Sequence, residues 1–162
     1  MAALSLFLVM LLGASAVHKA VGRERLAVVA ARLAGARAQV GPLLLILAGV
    51  VEAAAALCLL IPPLRPVGAM VATLLWLVYA VALWRRRGQS LDCGCDWVAR
   101  ERPVGMAQIA RPALLALLAL LTLVMPSFAF TFDAPFAAAG LLALYLAATE
   151  LLAIPQPSWR NR

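Results

Sequence analysis

Residues 42–61 read PLLLILAGVVEAAAALCLLI, twenty positions carrying a single charge, at Glu52. As a helix this run is about 30 Å long, the thickness of a bilayer's hydrocarbon core. It therefore reads as a membrane span. Pro62-Pro63 close it and Pro66 opens the next apolar stretch, 67–84, which ends at Arg85-Arg86-Arg87. So short a connection between two spans forces an antiparallel hairpin.

The rest of the chain has the same character. Of its 162 residues 65% are hydrophobic and 13% are charged, with a mean hydropathy of +0.99. Soluble domains carry about 25% charged residues. Three further runs complete a set of five spans, at 2–19, 109–125 and 135–154. The expected fold is an all-α membrane protein, one domain over 1–162, with a four-helix core and a C-terminal fifth helix. Ala14-Ser15-Ala16 fits a signal-peptidase site, but no Lys or Arg precedes the first apolar run, so a retained span is expected. Residues 20–41 place Leu26, Val29 and Leu33 on one face among Arg23, Arg25, Arg32 and Arg37, the pattern of an amphipathic helix lying at the head groups.

A formal net charge of +7 raises the question of nucleic acid. No aromatic residues interleave the basic ones, which lie between spans, and anionic lipid accounts for them. Lys19 and four arginines fall in the first connection, six arginines from Arg85 to Arg111 in the third, and Arg160 and Arg162 in the tail. Only Arg65 falls on the other side, so 13 of the 14 basic residues share a face. With five spans that predicts an outside N-terminus and a cytoplasmic C-terminus, in the inner (cytoplasmic) membrane.

Chemistry is concentrated at a few polar positions. A carboxylate at mid-bilayer costs on the order of 3 kcal/mol, so Glu52 is expected to face protein and to have a partner, whether it locks helix packing or serves function. Arg111, placed with Pro112 at the entrance of the fourth span, either snorkels to lipid phosphate or turns inward. Trp76 is expected to pack between helices, Trp84 to anchor at the interface, and Cys58 to act as a small apolar residue. Glu150, one turn from the end of the fifth span, reaches the interface and is assigned no role.

Between the third and fourth spans lies a polar loop, 88–103, containing Asp92-Cys93-Gly94-Cys95-Asp96-Trp97. Two thiols one residue apart close only a strained ring, and strained bridges are the readily exchanged ones. Redox exchange by Cys93 and Cys95 is the first reading. Metal binding by the two thiolates with His18 or an Asp is a second, although zinc sites space their cysteines by two to four residues and use two such pairs. The nearby arginines favour thiolate and the two aspartates oppose it.

The span ending at Lys19, the central Glu52, the Asp92-Cys93-Gly94-Cys95 loop and Arg111 ahead of the fourth span together resemble the MauE methylamine-utilisation family, within the wider group of DoxX-like small membrane proteins. The likeness runs from residue 1 to about 125. Family members continue the motif with Phe-Gly where this chain has Asp96-Trp97, a departure at the reactive loop itself. The resemblance implies a role in maturing a secreted or periplasmic client, in the type member the disulfide-rich small subunit of methylamine dehydrogenase, with a thioredoxin-like helper. It implies Cys93 and Cys95 as the redox pair and Lys19, Glu52 and Arg111 as polar residues inside the bundle.

The charge rule places the thiol loop on the cytoplasmic side, whereas the implied client is outside. Either the pair exchanges electrons with a cytosolic carrier, or the loop folds back within reach of a quinone. A transporter or accessory subunit, with Lys19, Glu52 and Arg111 lining a polar pathway and the thiols binding metal or sensing redox state, is the competing expectation.

Overall fold

The computed structural model describes residues 2–91, 102–124 and 132–153. Its helices are α1 (Ala2–Val21), α2 (Arg23–Ala34), α3 (Gly41–Leu60), α4 (Arg65–Arg85), α5 (Met106–Val124) and α6 (Ala134–Ala153). All but α2 belong to stretches long and apolar enough to cross a bilayer, so the chain is a multi-pass membrane protein. Outward-facing Leu43, Ile46, Leu47, Val50 and Leu57 of α3 are exposed, which suits a helix solvated by lipid on that side.

Small residues set how closely the helices approach. A Cβ on Gly68 of α4 would stand 2.7 Å from the Leu59 backbone nitrogen and 3.0 Å from the Ala55 carbonyl oxygen of α3, so only glycine fits that crossing. Between α4 and α5, Ala69, Ala72, Ala116 and Ala119 are buried. There the Thr73 hydroxyl donates to the Ala69 carbonyl at 2.8 Å and lies 3.5 Å from that of Ala116. Trp76 is buried in this core, as expected, whereas Trp84 is exposed and holds Arg87 5.7 Å from its ring centroid. In lipid no hydrophobic force drives helices together, so such close contact is what holds the bundle.

The amphipathic helix is present as α2. Leu26 and Ala27 pack on Leu45 of α3, and Gly35 stops the helix with φ of 70° while the Ala36 N–H donates to the Ala31 carbonyl at 2.9 Å. A short 3-10 turn, Ala38–Val40, then leads into α3.

Two features of the third connection differ from the expectation of a plain loop followed by a helix starting near Ile109. Strands β1 (Ser90–Leu91) and β2 (Arg102–Pro103) pair antiparallel and enclose the thiol segment, and α5 starts three residues early. The reason is a helix-start signal ahead of the apolar run: the Gln108 side chain reaches back to accept the Gly105 N–H, half of a capping box. Consequently Pro112 lies inside α5 rather than in its first turn.

Candidate functional site

Each inner helix presents a stripe of residues at alternating spacings of three and four, the rows that face one direction on a helix. On α1 the stripe runs Ser5, Leu8, Leu12, Ser15, Lys19; on α3 it includes Leu45, Glu52, Ala55, Ala56 and Leu59. The apolar ends of these stripes pack together. Their polar members meet.

Glu52 is 1% exposed and is held by three side chains. The Lys19 ammonium donates to both carboxylate oxygens, at 2.8 and 2.9 Å. Ser15, one turn before Lys19, donates to Oε1 at 3.1 Å and accepts from Lys19 at 2.7 Å. From α4 the Tyr79 hydroxyl donates to the same Oε1 at 3.0 Å, while its ring centroid lies 5.6 Å from the Lys19 ammonium. Three helices are thereby tied to one carboxylate, with the charge of Glu52 compensated twice over, by an ion pair and by two neutral donors.

Tyr79→Phe deletes one of those donors and keeps the ring beside Lys19. A hydrogen bond to a charged group contributes about 1.5–3 kcal/mol, and averages are lower in membranes, so a loss of about 1.5 kcal/mol is expected. Unfolding of the purified protein in mild detergent measures it; a loss below about 0.3 kcal/mol would mean that the hydroxyl is idle.

The cluster borders a cavity of ≈ 350 Å³. Its other walls are Trp76 of α4, Gln108, Arg111 and Leu115 of α5, and Leu142, Tyr145 and Glu150 of α6. Arg111 lies over the Tyr145 ring, 5.7 Å from the centroid, and Tyr145 meets Phe7 of α1 edge-on at 6.0 Å. Arg111 thus faces inward, against the commoner fate of snorkelling, and Glu150 lines the cavity although the sequence suggested only an interfacial position. Because successive spans run in opposite directions, the ends of α1, α4 and α6 and the starts of α3 and α5 share one face with α2 and the β1–β2 ladder. The cavity lies in that half of the bundle.

Lys19, Glu52 and Arg111 therefore line one cavity. Cys93 and Cys95, with Asp92, Asp96 and Trp97, lie outside the described residues. The feet of their segment are described: the Gly88 N–H donates to the Val104 carbonyl and the Val104 N–H to the Gln89 carbonyl, both at 3.0 Å. Val104 is buried with Leu83 and Ile109. Leu83 and Gln108 also line the cavity, so the ends of the thiol segment are fixed at its rim. Ser15, Tyr79 and Tyr145 were not singled out from the sequence as site residues, and Glu150 was assigned no role there; the three-and-four spacing of Ser15 to Lys19 and of Trp76 to Tyr79 and Leu83 is the signal that marks the first two. Cys58 is half-buried on α3, away from this cluster. Among the described residues no three His, Cys, Asp or Glu side chains gather as a metal site.

Comparison with curated proteins and with solved structures gives no match. Comparison with protein families does, over residues 1–126 and so through α5, with the family described as methylamine utilisation protein MauE. The match takes in Lys19, Glu52, Cys93, Cys95 and Arg111 and leaves α6 outside it. A five-span membrane bundle with this cluster at its centre belongs to the MauE family.

Proposed function

We propose that the chain is an accessory membrane protein of thiol–disulfide exchange, in which Cys93 and Cys95 pass electrons to or from a thioredoxin-like partner and so assist disulfide formation in a secreted or periplasmic client. The observation that carries this reading is the anchoring of both ends of the thiol segment, through the β1–β2 ladder, Val104 and Gln108, at the rim of the cavity. Fixing the two ends of a segment lowers the conformational entropy that any partner-bound arrangement of it must give up.

The exchange proceeds by attack of one thiolate on a partner disulfide. One S–S bond breaks, a mixed disulfide forms, and the released partner sulfur takes up a proton. The second cysteine then closes the Cys93–Cys95 bridge and frees the partner as a dithiol, so two electrons and two protons have moved; reversal returns them. The short, strained ring favours the reduced pair and makes its oxidised form a ready donor of the disulfide. Asp96-Trp97, in place of Phe-Gly, alters the surface that a partner meets. The excess of basic residues on one face supports a cytoplasmic position for this segment and the C-terminus, so on this reading the pair acts on the outside client through a carrier and not by direct contact.

Replacing both cysteines with serine is expected to abolish client maturation while leaving membrane insertion intact. In the wild-type protein a membrane-impermeant thiol reagent is expected to label the pair in inverted vesicles and not in intact cells. Maturation that survives the double substitution would overturn the proposal.

A second reading, a transporter or accessory subunit with a polar intramembrane pathway, draws on Lys19, Glu52 and Arg111 lining one cavity. It predicts that Glu52→Gln harms function more than loss of both cysteines.

A further inference from the structure

We infer that the ends of α2 and α4 together form a binding site for the phosphate of an anionic phospholipid, whose chains lie along α3 and α4. The site is outside the cavity, and it stands or falls independently of the exchange reading above.

Folding brings two basic segments together at this point. Gly35 turns the chain at the end of α2, and the Arg86 guanidinium lies so close over it that a Cβ on Gly35 would run into Nη2. Arg32, in the last turn of α2, accepts the Gly35 N–H on its carbonyl at 3.2 Å, and Arg37 follows Gly35 by two residues. Arg85 and Arg87 flank Arg86. Five arginines therefore collect where the two helices end, and neither 25–51 nor 53–91 contains an Asp or Glu. The C-terminus of α2 sets only about half a negative charge against them. An anion from outside offsets the remainder, and guanidinium forks match the oxygens of a phosphate. Arg32, Arg37, Arg85 and Arg87 are exposed, so they can meet it, while Arg86 is half-buried between the two helix ends.

The surroundings select a lipid as the source of that phosphate. Trp84 is exposed beside the cluster with Arg87 over its ring, a pairing suited to the head-group level. One and two turns deeper, α4 exposes Val81, Val78 and Leu77, and α3, which starts on the same face, exposes Leu43 and Leu47. A phosphate held by the arginines thus has an apolar surface directly beneath it for its chains. A soluble anion or an acidic protein segment would leave that surface unused. The arginines are also held at a fixed height: Leu26 and Ala27 pack on Leu45, and a Cβ on Gly41 of α3 would run into the Ala27 carbonyl, so α2 is not free to ride up and down in the head groups. Leu33, next to Arg32, packs against the Leu83, Val104 and Ile109 cluster. A lipid bridging the two helix ends therefore braces the foot of the β1–β2 ladder as well.

The full chain, delipidated in an uncharged detergent, is titrated with dioleoyl-phosphatidylglycerol or dioleoyl-phosphatidylcholine, and the lipid-bound fraction is read by native mass spectrometry. No charged bilayer is present, so a lipid is retained only where a site holds it. Phosphatidylglycerol is expected to be retained in preference to phosphatidylcholine. An arginine beside an anionic lipid contributes about fivefold in affinity, so Arg37→Gln/Arg86→Gln is expected to lower retention about thirtyfold, and Arg23→Gln, at the other end of α2, less than about twofold. Ala36→Glu places a carboxylate among the arginines at an exposed position. It is expected to lose the preference for phosphatidylglycerol while its melting temperature in phosphatidylcholine does not fall, which separates an occupied site from a misfolded one. Equal retention of the two lipids by the wild type, or a preference that persists in both Arg37→Gln/Arg86→Gln and Ala36→Glu, would overturn the site. Displacement of the lipid by inorganic phosphate or by polyglutamate at equal concentration would overturn a lipid as its occupant.

Discussion

Glu52→Ala is expected to destabilise the bundle by about 3–5 kcal/mol, the range for breaking a buried ion pair from one side. The cost arises from what is left behind. Lys19, whose side chain is only 16% exposed, loses its carboxylate and keeps Ser15 as a hydrogen-bond partner among the contacts described above, and the Tyr79 hydroxyl loses its bond to Glu52. The pair itself is worth far less than its disruption, because desolvating both charges offsets most of their attraction. Lys19→Met combined with Glu52→Leu, which removes both charges at nearly constant volume, is therefore expected to recover at least half of the loss. Unfolding of the purified variants in mixed micelles measures both. A Glu52→Ala protein within about 1 kcal/mol of wild type would show that water, and not the bundle, stabilises Lys19.

That contrast bears on function as well as stability. If a double apolar substitution folds, the cluster is not needed to build the bundle, and its retention in this chain points to the cavity it borders. Client maturation in the Lys19→Met/Glu52→Leu protein then reports on the cavity's contribution, free of a folding defect. On the second reading above the same protein would be the most impaired of all variants.

How much of this was legible in the sequence depends on the strength of each signal. The spans were, because twenty apolar residues in a row have one low-energy structure in lipid and proline or arginine marks their ends. Glu52 stood out because a charge there is costly. Of its partners, Lys19 was expected inside the bundle through the family resemblance; Ser15 and Tyr79 were not, since serine and tyrosine are unremarkable in a span and their relevance depends on which helices become neighbours. The start of α5 was misplaced because the apolar run begins near Ile109, whereas the helix begins where Gln108 can satisfy the Gly105 N–H. Glu150 was read as interfacial from its distance to the helix end, and only the position of α6 beside α1 turns it toward the cavity. The ladder that brackets the thiols is two residues on each strand, too short to show any period.

Gly68→Val is expected to cost about 3 kcal/mol, the upper part of the range for overpacking a tight contact. The atoms in the way are not the ends of flexible side chains. They are the Leu59 nitrogen and Ala55 oxygen of the α3 backbone at 2.7 and 3.0 Å, with the Cys58 Cβ at 2.9 Å, and a β-carbon on Gly68 can be accommodated only by moving one helix away from the other. The hairpin connection, with Pro62-Pro63 and Pro66 around a 3-10 turn, offers little slack for that movement. Separation at this crossing would also displace Ala69, Ala72 and Trp76 on the following turns of α4, and with them Tyr79, from their neighbours on α1, α3 and α5. Gly49→Val is the matched control on the same hairpin: a Cβ there meets nothing within 4 Å, so the residue faces lipid and the substitution is expected to change stability by less than about 0.5 kcal/mol. Equal effects at the two positions would indicate that glycine acts in this hairpin through helix propensity alone, and that the close approach of α3 and α4 does not hold the cluster in register.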